Sequence, residues 1–447
     1  MGKKIVVLIV GMVSLFLFKV TDSYSQSQVV PCQLTNADQD LLRLFPERTN
    51  YRTEFIRTDE VGDKRGVGGE ALYRELEKRL GNKWDPIWET KDIPYVFYEV
   101  LKGPDKIGWV FGANQGWPGA DNSQLMFAFD LDGRTREFYY QKLPSSEKDK
   151  LQTPQFYSQF VGLTLEHFYI NEQLKNLAVK DNDILALDMV GRIKDPTQKE
   201  HEGFQKTLRG AKKVFIYLDD FKLNNKIKKD EVFANVRYVV TNKSKISLIE
   251  GDALSQIKKS FPDASTYVVD FISLKSNSSA IEKRLGDKLD SKTEPVDLVY
   301  PVYVVYKTNT YKPPFTRGII LGYVLPLAID TAQGRFVANI AVGAQDKEKG
   351  KVMSVEINKT AYDQFKGLSL VHFYTKDVLT KNNIVNEKID KIAPITNINV
   401  DGKDITPAAR RTVKKALVIV DEYYGHNFFN KEEITKKMED YLKSPKK

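Results

Sequence analysis

The sequence predicts an α+β protein made of two homologous repeats, each a twisted, mainly antiparallel sheet with flanking helices. Blocks of the first half return in the second half in the same order, and within each half β-rich runs alternate with helical patterns. The best-matched pair, 160–169 and 365–374, shares the pattern Phe-x-Gly-Leu-(Thr/Ser)-Leu-x-His-Phe-Tyr. Chance does not keep several such blocks in one order at one spacing, which indicates a duplication.

Five paired blocks define the extent of the repeats. They begin at 44 and 260, 76 and 281, 107 and 321, 160 and 365, and 212 and 414. The offset between partners stays between 202 and 216 residues. We therefore predict homologous domains over 33–235 and 245–440, joined near 242–244.

Runs of β-branched and aromatic residues predict the strands. The runs 94–100 and 301–306 occupy equivalent places in the two repeats. A further strand is predicted over 124–129, and the Asp-Gly pair at 132–133 predicts a tight turn into a strand over 137–140.

Capping patterns predict where several helices begin. Thr35-x-x-Asp38 predicts a capped helix that ends near Phe45, and Ser247-x-x-Glu250 predicts a similar helix in the second repeat.

Two equivalent histidines follow predicted helix starts. Thr164 and Ser369 occupy N-cap positions, and His167 and His372 each lie three residues later. The favoured interpretation is a structural role, with a redox or metal role as the alternative. The last long helix is predicted over 406–424.

Composition excludes several classes of protein. Apolar residues make up 41% and charged residues 28% of the 447 residues, which predicts a folded core rather than a disordered, fibrous or polytopic membrane protein. The single cysteine, Cys32, excludes an intrachain disulfide and any Cys-based metal cage. With only four histidines, we predict no metal site.

The net charge of +9 comes from basic residues mixed with acidic ones. Because aromatic residues do not interleave with a basic motif, no nucleic-acid partner is expected. The cluster of Arg410, Arg411, Lys414 and Lys415 is interpreted as solvated surface, with binding of a phosphate or an anionic surface as the alternative.

The N-terminus has the pattern of an export signal. Lys3 and Lys4 precede an apolar run over 5–18, and Ser23 and Ser25 supply small residues for cleavage. The run is shorter than the roughly 20 residues of a spanning helix. We predict a cleaved signal peptide over 1–25 and a periplasmic or otherwise extracytoplasmic location, with a retained anchor as the alternative. No stable transmembrane segment is expected beyond this region.

The sequence contains no recognisable catalytic constellation. Dinucleotide-binding, P-loop, GxSxG and CxxC motifs are absent, and Gln205 stands where a zincin motif begun by His201-Glu202 needs its second histidine. Asp130-Leu131-Asp132-Gly133 lacks the downstream acids of an EF-hand and is interpreted as a turn. No catalytic residue is therefore predicted.

The order of several short motifs carries a family resemblance. In the first repeat they are Gly108-Trp109-Val110-Phe111, Asp130-Leu131-Asp132-Gly133, Thr153-Pro154 and Phe160-Val161-Gly162; in the second they are Gly322-Tyr323, Gln333-Gly334, Phe365-Lys366-Gly367 and Asp401-Gly402-Lys403-Asp404-Ile405-Thr406. The chain resembles the FMN-binding domain found in the G subunit of the Rnf complex and the C subunit of the sodium-pumping NADH:quinone oxidoreductase.

This resemblance implies candidate cofactor-binding residues. They are Thr153, Pro154, Gly402, Ile405 and Thr406. In the family a threonine of the last motif carries FMN through a phosphate ester, and Asp404 fills that place here. A carboxylate repels a phosphate at a helix N-terminus, so covalent FMN is not expected.

Two functions follow as hypotheses. The favoured one is an exported, flavin-free binding or scaffold module that associates with other exported proteins, including a redox complex. The alternative is a periplasmic electron-transfer protein that binds FMN non-covalently, the one enzyme-like activity left open. A third hypothesis is a protein that binds a small ligand or a polymer in the cleft between the domains.

Overall fold

The computed structural model describes residues 32–57, 69–85, 94–116, 122–196, 202–295, 297–332, 334–382, 397–425 and 428–443. The predicted signal peptide lies outside these residues, so its presence and cleavage remain predictions.

The first half alternates helices with a run of five strands. In chain order its elements are α1 (Ala37–Leu44), β1 (Asn50–Ile56), α2 (Gly69–Leu80), β2 (Tyr95–Lys102), β3 (Asp105–Gly116), β4 (Asn122–Phe129), β5 (Thr135–Lys142), α3 (Ser145–Leu151), α4 (Pro154–Ser158), α5 (Leu165–Asn176), α6 (Asn182–Leu185), α7 (Glu202–Phe221) and α8 (Lys229–Thr241).

The second half follows a similar order. Its elements are α9 (Ala253–Ser260), β6 (Thr266–Ser273), α10 (Ser278–Leu285), β7 (Val299–Thr310), β8 (Thr316–Thr331), β9 (Gly334–Gly343), β10 (Val352–Ile357), β11 (Thr360–Ala361), α11 (Leu370–Lys381), β12 (Asn399–Val400), β13 (Lys403–Asp404), α12 (Thr406–Tyr423) and α13 (Lys431–Lys443). Short 3₁₀ turns lie at Lys243–Lys245, Asp346–Glu348 and Asp363–Phe365.

Eleven strands of the described residues form one antiparallel sheet, which confirms the predicted α+β class. Strands β1 to β5 pair in sequence order, and so do β6 to β10. The two meanders join where Glu137 of β5 pairs with Arg317 of β8. The sheets predicted for the two halves are therefore parts of one sheet. Homology between the halves and the boundaries 33–235 and 245–440 remain predictions.

Two long amphipathic helices cover the sheet. Helix α7 packs on β3 and α12 packs on β8. Phe204, Ala211 and Leu218 lie on one buried face of α7 at multiples of the helical turn. The helix predicted over 406–424 is confirmed as α12, which begins at Thr406 with a proline in its first turn; α13 follows it.

Two predicted N-caps were wrong by position. Asn36, not Thr35, caps α1, where its side chain accepts the N–H of Gln39 at 3.2 Å. In the second half, Asp252 rather than Ser247 caps α9. A carboxylate or amide next to the first helical turn competes better for these N–H groups than a hydroxyl farther away.

The predicted caps of α5 and α11 are confirmed, and they explain both histidines. His167 Nδ1 accepts the backbone N–H of Thr164 at 3.0 Å. His372 Nδ1 accepts the N–H of Ser369 at 3.1 Å. Each imidazole therefore satisfies a backbone donor at a helix start, which is the structural role favoured from the sequence.

Buried arginine pairs also occur at equivalent places in the two halves. Arg79 lies 2.5 Å from Asp219 and 3.2 Å from the hydroxyl of Tyr169. In the second half Arg284 contacts Asp421 in the same way. Each pair fixes a short helix against the end of the long helix that covers its half of the sheet.

Two equivalent glycines, Gly162 and Gly367, differ in how closely the other half of the chain packs against them. Gly162 and Gly367 both have φ +81°, but a Cβ on Gly162 would lie 2.5 Å from the Tyr306 ring of the second half, whereas Gly367 has nothing within 4 Å. Gly162→Ala should lower stability by about 1–3 kcal/mol more than Gly367→Ala, because only Gly162→Ala adds overpacking to the backbone strain that both share.

The measurement is denaturant unfolding of the two variants beside the unchanged protein. Equal losses in the two variants would show that Tyr306 does not pack on Gly162.

Candidate functional site

The structure uses the predicted cofactor residues of the first half to begin a helix. Thr153 Oγ1 accepts the N–H of Phe156 at 3.2 Å, and Pro154 is the first residue of α4. Proline has no N–H to donate at this position, and its fixed φ suits a first turn. The two residues therefore cap and start α4.

The predicted cofactor residues of the second half lie around the start of α12. Gly402 takes φ +75° in the turn between β12 and β13. Ile405 is buried, and Thr406 Oγ1 accepts the N–H of Ile398 at 2.8 Å. These contacts hold the small two-stranded sheet against the helix.

Asp404 lies just before Ile405, the N-cap residue of α12, and accepts hydrogen bonds from the first helical residue. Its Oδ1 accepts the N–H of Thr406 at 2.9 Å and the Thr406 hydroxyl at 2.6 Å. These hydrogen bonds hold the pKa of Asp404 below its usual value. The negative charge that the N-terminus of α12 attracts is thus supplied by the chain.

The structure does not bring the two predicted sets into either of two large cavities formed by the described residues. One cavity of about 740 Å³ lies between the halves, and one of about 830 Å³ lies beside α12. Neither is lined by Thr153, Pro154, Gly402, Ile405 or Thr406.

The 740 Å³ cavity, which we call the cleft, lies between the halves, where the sequence left a ligand-binding cleft open, but none of its lining residues was predicted as a site residue. Its walls are the start of α5, helix α8, strand β6 and the end of α12. Both halves of the chain therefore contribute to it. Clefts between structural units are a common place for ligand binding.

A buried ion pair joins the two halves beside the cleft. Arg134 donates from both terminal nitrogens to the Asp270 carboxylate, one of them at 3.2 Å. The Tyr424 hydroxyl donates to Asp270 Oδ2 at 2.6 Å. Burial alone would raise the pKa of Asp270, but the charge of Arg134 lowers it below its usual value.

The predicted Asp-x-Asp-Gly turn positions this arginine. Asp130 Oδ1 accepts the N–H groups of Asp132 and Arg134, each at 2.9 Å. The turn interpretation is confirmed, and the calcium alternative gains no support from these contacts. Asp270 had a signal in the sequence as well, because it is the one acid within the apolar run 267–272.

Glu166 holds its proton more tightly than an ordinary carboxyl group. Its carboxyl group lies near the backbone N–H of Phe271 and near Asp270. Burial, and then the negative charge of Asp270, raises the pKa of Glu166 to about 8.

His167 is neutral beside this pair. Because its Nδ1 accepts the Thr164 N–H, the ring proton lies on Nε2, which is 3.5 Å from Asp270 Oδ1. Burial lowers the pKa of His167 to about 4 despite the opposing charge of Asp270. The site thus combines an ionised pair with a neutral acid and a neutral imidazole.

The basic cluster near α12 is not the solvated surface expected from the sequence. Arg411 pairs with Asp287 at 2.8 Å, Lys414 pairs with Asp377 at 2.6 Å, and the buried Lys415 pairs with Glu294. The acidic partners come from other elements, which sequence proximity does not reveal.

Within the described ranges, no group of three or more His, Cys, Asp and Glu side chains is arranged to hold a metal ion. The Cys32 thiol is buried, which raises its pKa to about 12. A search of the same residues found no helix with both the length and the apolar character needed to span a bilayer.

No protein-family model matches the sequence, and neither a curated protein nor a solved structure matches the chain. Its function must therefore follow from its own residues and geometry.

The raised pKa of Glu166 predicts a pH-dependent stability. A carboxyl whose folded pKa is raised stabilises the fold fully below its unfolded value near 4.5, and this contribution is lost as pH rises toward 8. Glu166→Gln should therefore match the unchanged protein at pH 5 and melt higher at pH 8, by at least about 2 °C.

Glu172→Gln is the matched control. Although burial opposes it, hydrogen bonds from Lys229 and Lys212 lower the pKa of Glu172. Its stabilisation is then complete above pH 5, so the loss in Glu172→Gln should be constant from pH 5 to 8. Thermal melts that show the same pH profile for both variants would contradict the assignment to Glu166.

Proposed function

We propose that this protein is an exported, flavin-free binding module that takes a polar small ligand in the cleft. The observation that supports the flavin-free part is the Asp404 carboxylate at the start of α12. The resemblance places the FMN phosphate at this helix start, and Asp404 fills it with a carboxylate bonded to Thr406. A phosphate there would meet a like charge and find its N–H donor taken.

The cleft supports the binding part. Its volume of about 740 Å³ lies within the range of small-ligand sites, about 300–1,000 Å³. Tyr238 and Tyr423 offer aromatic surface, and Lys228 and Glu231 offer charges of both signs. This lining suits a polar ligand that has both hydrogen-bond donors and acceptors.

Export and association with other exported proteins belong to the same proposal. Export is supported by the sequence pattern over 1–25. The electron-transfer alternative with non-covalent FMN has no contact among the described residues that favours it.

A thermal-shift screen of polar small molecules, with FMN among them, tests both parts. FMN should leave the melting temperature unchanged, and the purified protein should be colourless. A cleft ligand should stabilise the unchanged protein but not Ala234→Trp, because Ala234 is an exposed α8 residue that lines the cleft.

Arg237→Trp is the matched control, because Arg237 is exposed on the same helix and does not line the cleft. It should respond to the ligand like the unchanged protein. Flavin absorbance or stabilisation by FMN would contradict the flavin-free assignment. A ligand that stabilises Ala234→Trp equally would place its site outside the cleft.

A further inference from the structure

The first half of the chain holds the outer edge of strand β6 with three side chains. Arg134 binds Asp270, Glu166 lies near the backbone N–H of Phe271, and His167 faces Asp270. Strand β6 pairs on its other side with β7 alone. We call the surface formed by Arg134, Glu166 and His167 the edge-binding face.

The second half carries an equivalent surface. In the first half, Thr135 and Leu163 are joined by a backbone hydrogen bond just after Arg134; in the second, Val352 and Leu368 are joined in the same way just after Lys351. His372 caps α11 as His167 caps α5. Lys351, Val371 and His372 therefore occupy the places of Arg134, Glu166 and His167, and we call them the second face.

No strand of the described chain lies on this second face. Val371 is 39% exposed, although it stands where Glu166 contacts β6. Lys351 has no ion pair with another described residue, whereas its counterpart Arg134 is fully paired. The second face thus presents an apolar side chain beside an unpaired cation.

Strand β1 is the first half's counterpart of β6. It pairs with β2 in the same register in which β6 pairs with β7, and no strand of the described residues pairs with its other side. Phe55, which corresponds to Phe271, is 59% exposed. An exposed strand edge of this kind is a ready site for association.

The acid of each edge strand is also held alike from within its own half. Lys222 near the end of α7 contacts Glu54, as Tyr424 near the end of α12 contacts Asp270. Glu54 therefore corresponds to Asp270 and keeps its carboxylate at the exposed edge.

We propose that a second copy of this chain binds head to tail, with β1 of one copy on the second face of the next. Glu54 then meets Lys351 as Asp270 meets Arg134, and the exposed Phe55 packs on the exposed Val371. The two surfaces differ, so the contact is heterologous and builds open chains or closed rings. This inference goes beyond the proposed function, since it needs neither a cleft ligand nor the absence of flavin.

The edge-binding face and β6 belong to one chain and are covalently linked, whereas β1 and the second face that it binds belong to different copies. Linkage supplies a high effective concentration, so association between copies should require high protein concentration. The proposed contact between copies has the same arrangement as the contact that the edge-binding face makes with β6 within one chain.

Sedimentation velocity of the exported chain over a concentration series tests the proposal. The unchanged protein should associate with rising concentration, up to about 500 µM. Glu54→Lys and Lys351→Glu should each weaken association by about tenfold or more, because each places like charges across the contact. Lys180→Glu, an exposed change of the same charge elsewhere, should associate normally.

The decisive experiment is sedimentation of a mixture of the two charge-reversal variants. An equimolar mixture of Glu54→Lys and Lys351→Glu should regain association, because every contact between unlike copies again joins opposite charges. Val371→Asp should weaken association through the second face alone, because it leaves every residue of β1 unchanged. The proposal is overturned if the unchanged protein stays monomeric throughout, if the single variants associate normally, or if the mixture does not recover.

Discussion

The buried pair of Arg134 and Asp270 is the interaction on which the arrangement of the two halves depends. Its partners lie 136 residues apart in the chain, on a turn of the first half and on an edge strand of the second. A buried charge is costly unless it is paired and hydrogen-bonded. Asp270 meets this condition through Arg134 and the hydroxyl of Tyr424. The edge of β6 is therefore bound by side chains, where a further strand would otherwise pair.

The same pair sets the chemistry of the cleft. Glu166 retains its proton because it is buried and because Asp270, which Arg134 keeps ionised, makes a second negative charge nearby unfavourable. His167 stays neutral because it is buried and because its Nδ1 is committed to the cap of α5. Each of these groups therefore has a structural role. Arg134, Glu166 and Asp270 also line the cleft, where a ligand would contact them.

Features set by neighbouring residues could be predicted from the sequence, whereas contacts between residues far apart in the chain could not. Strands β2 and β7 and the caps at Thr164 and Ser369 follow from neighbouring residues, so they were predictable. The join of β5 to β8 rests on a single residue pair, which leaves no pattern in either strand. The cleft arises only once the halves meet. Asp404 could be recognised as a departure from the flavin motif, but its hydrogen bonds with Thr406 could be seen only in the structure.

A double-mutant cycle on the central pair is the most direct measurement. Arg134→Met and Asp270→Leu should each lower the free energy of unfolding by about 3–5 kcal/mol, since each leaves a buried charge without its partner. The double variant should recover much of that loss, because no unpaired charge remains. Purely additive losses would show that Arg134 and Asp270 do not interact in the folded protein, and the halves would then be held together by other contacts.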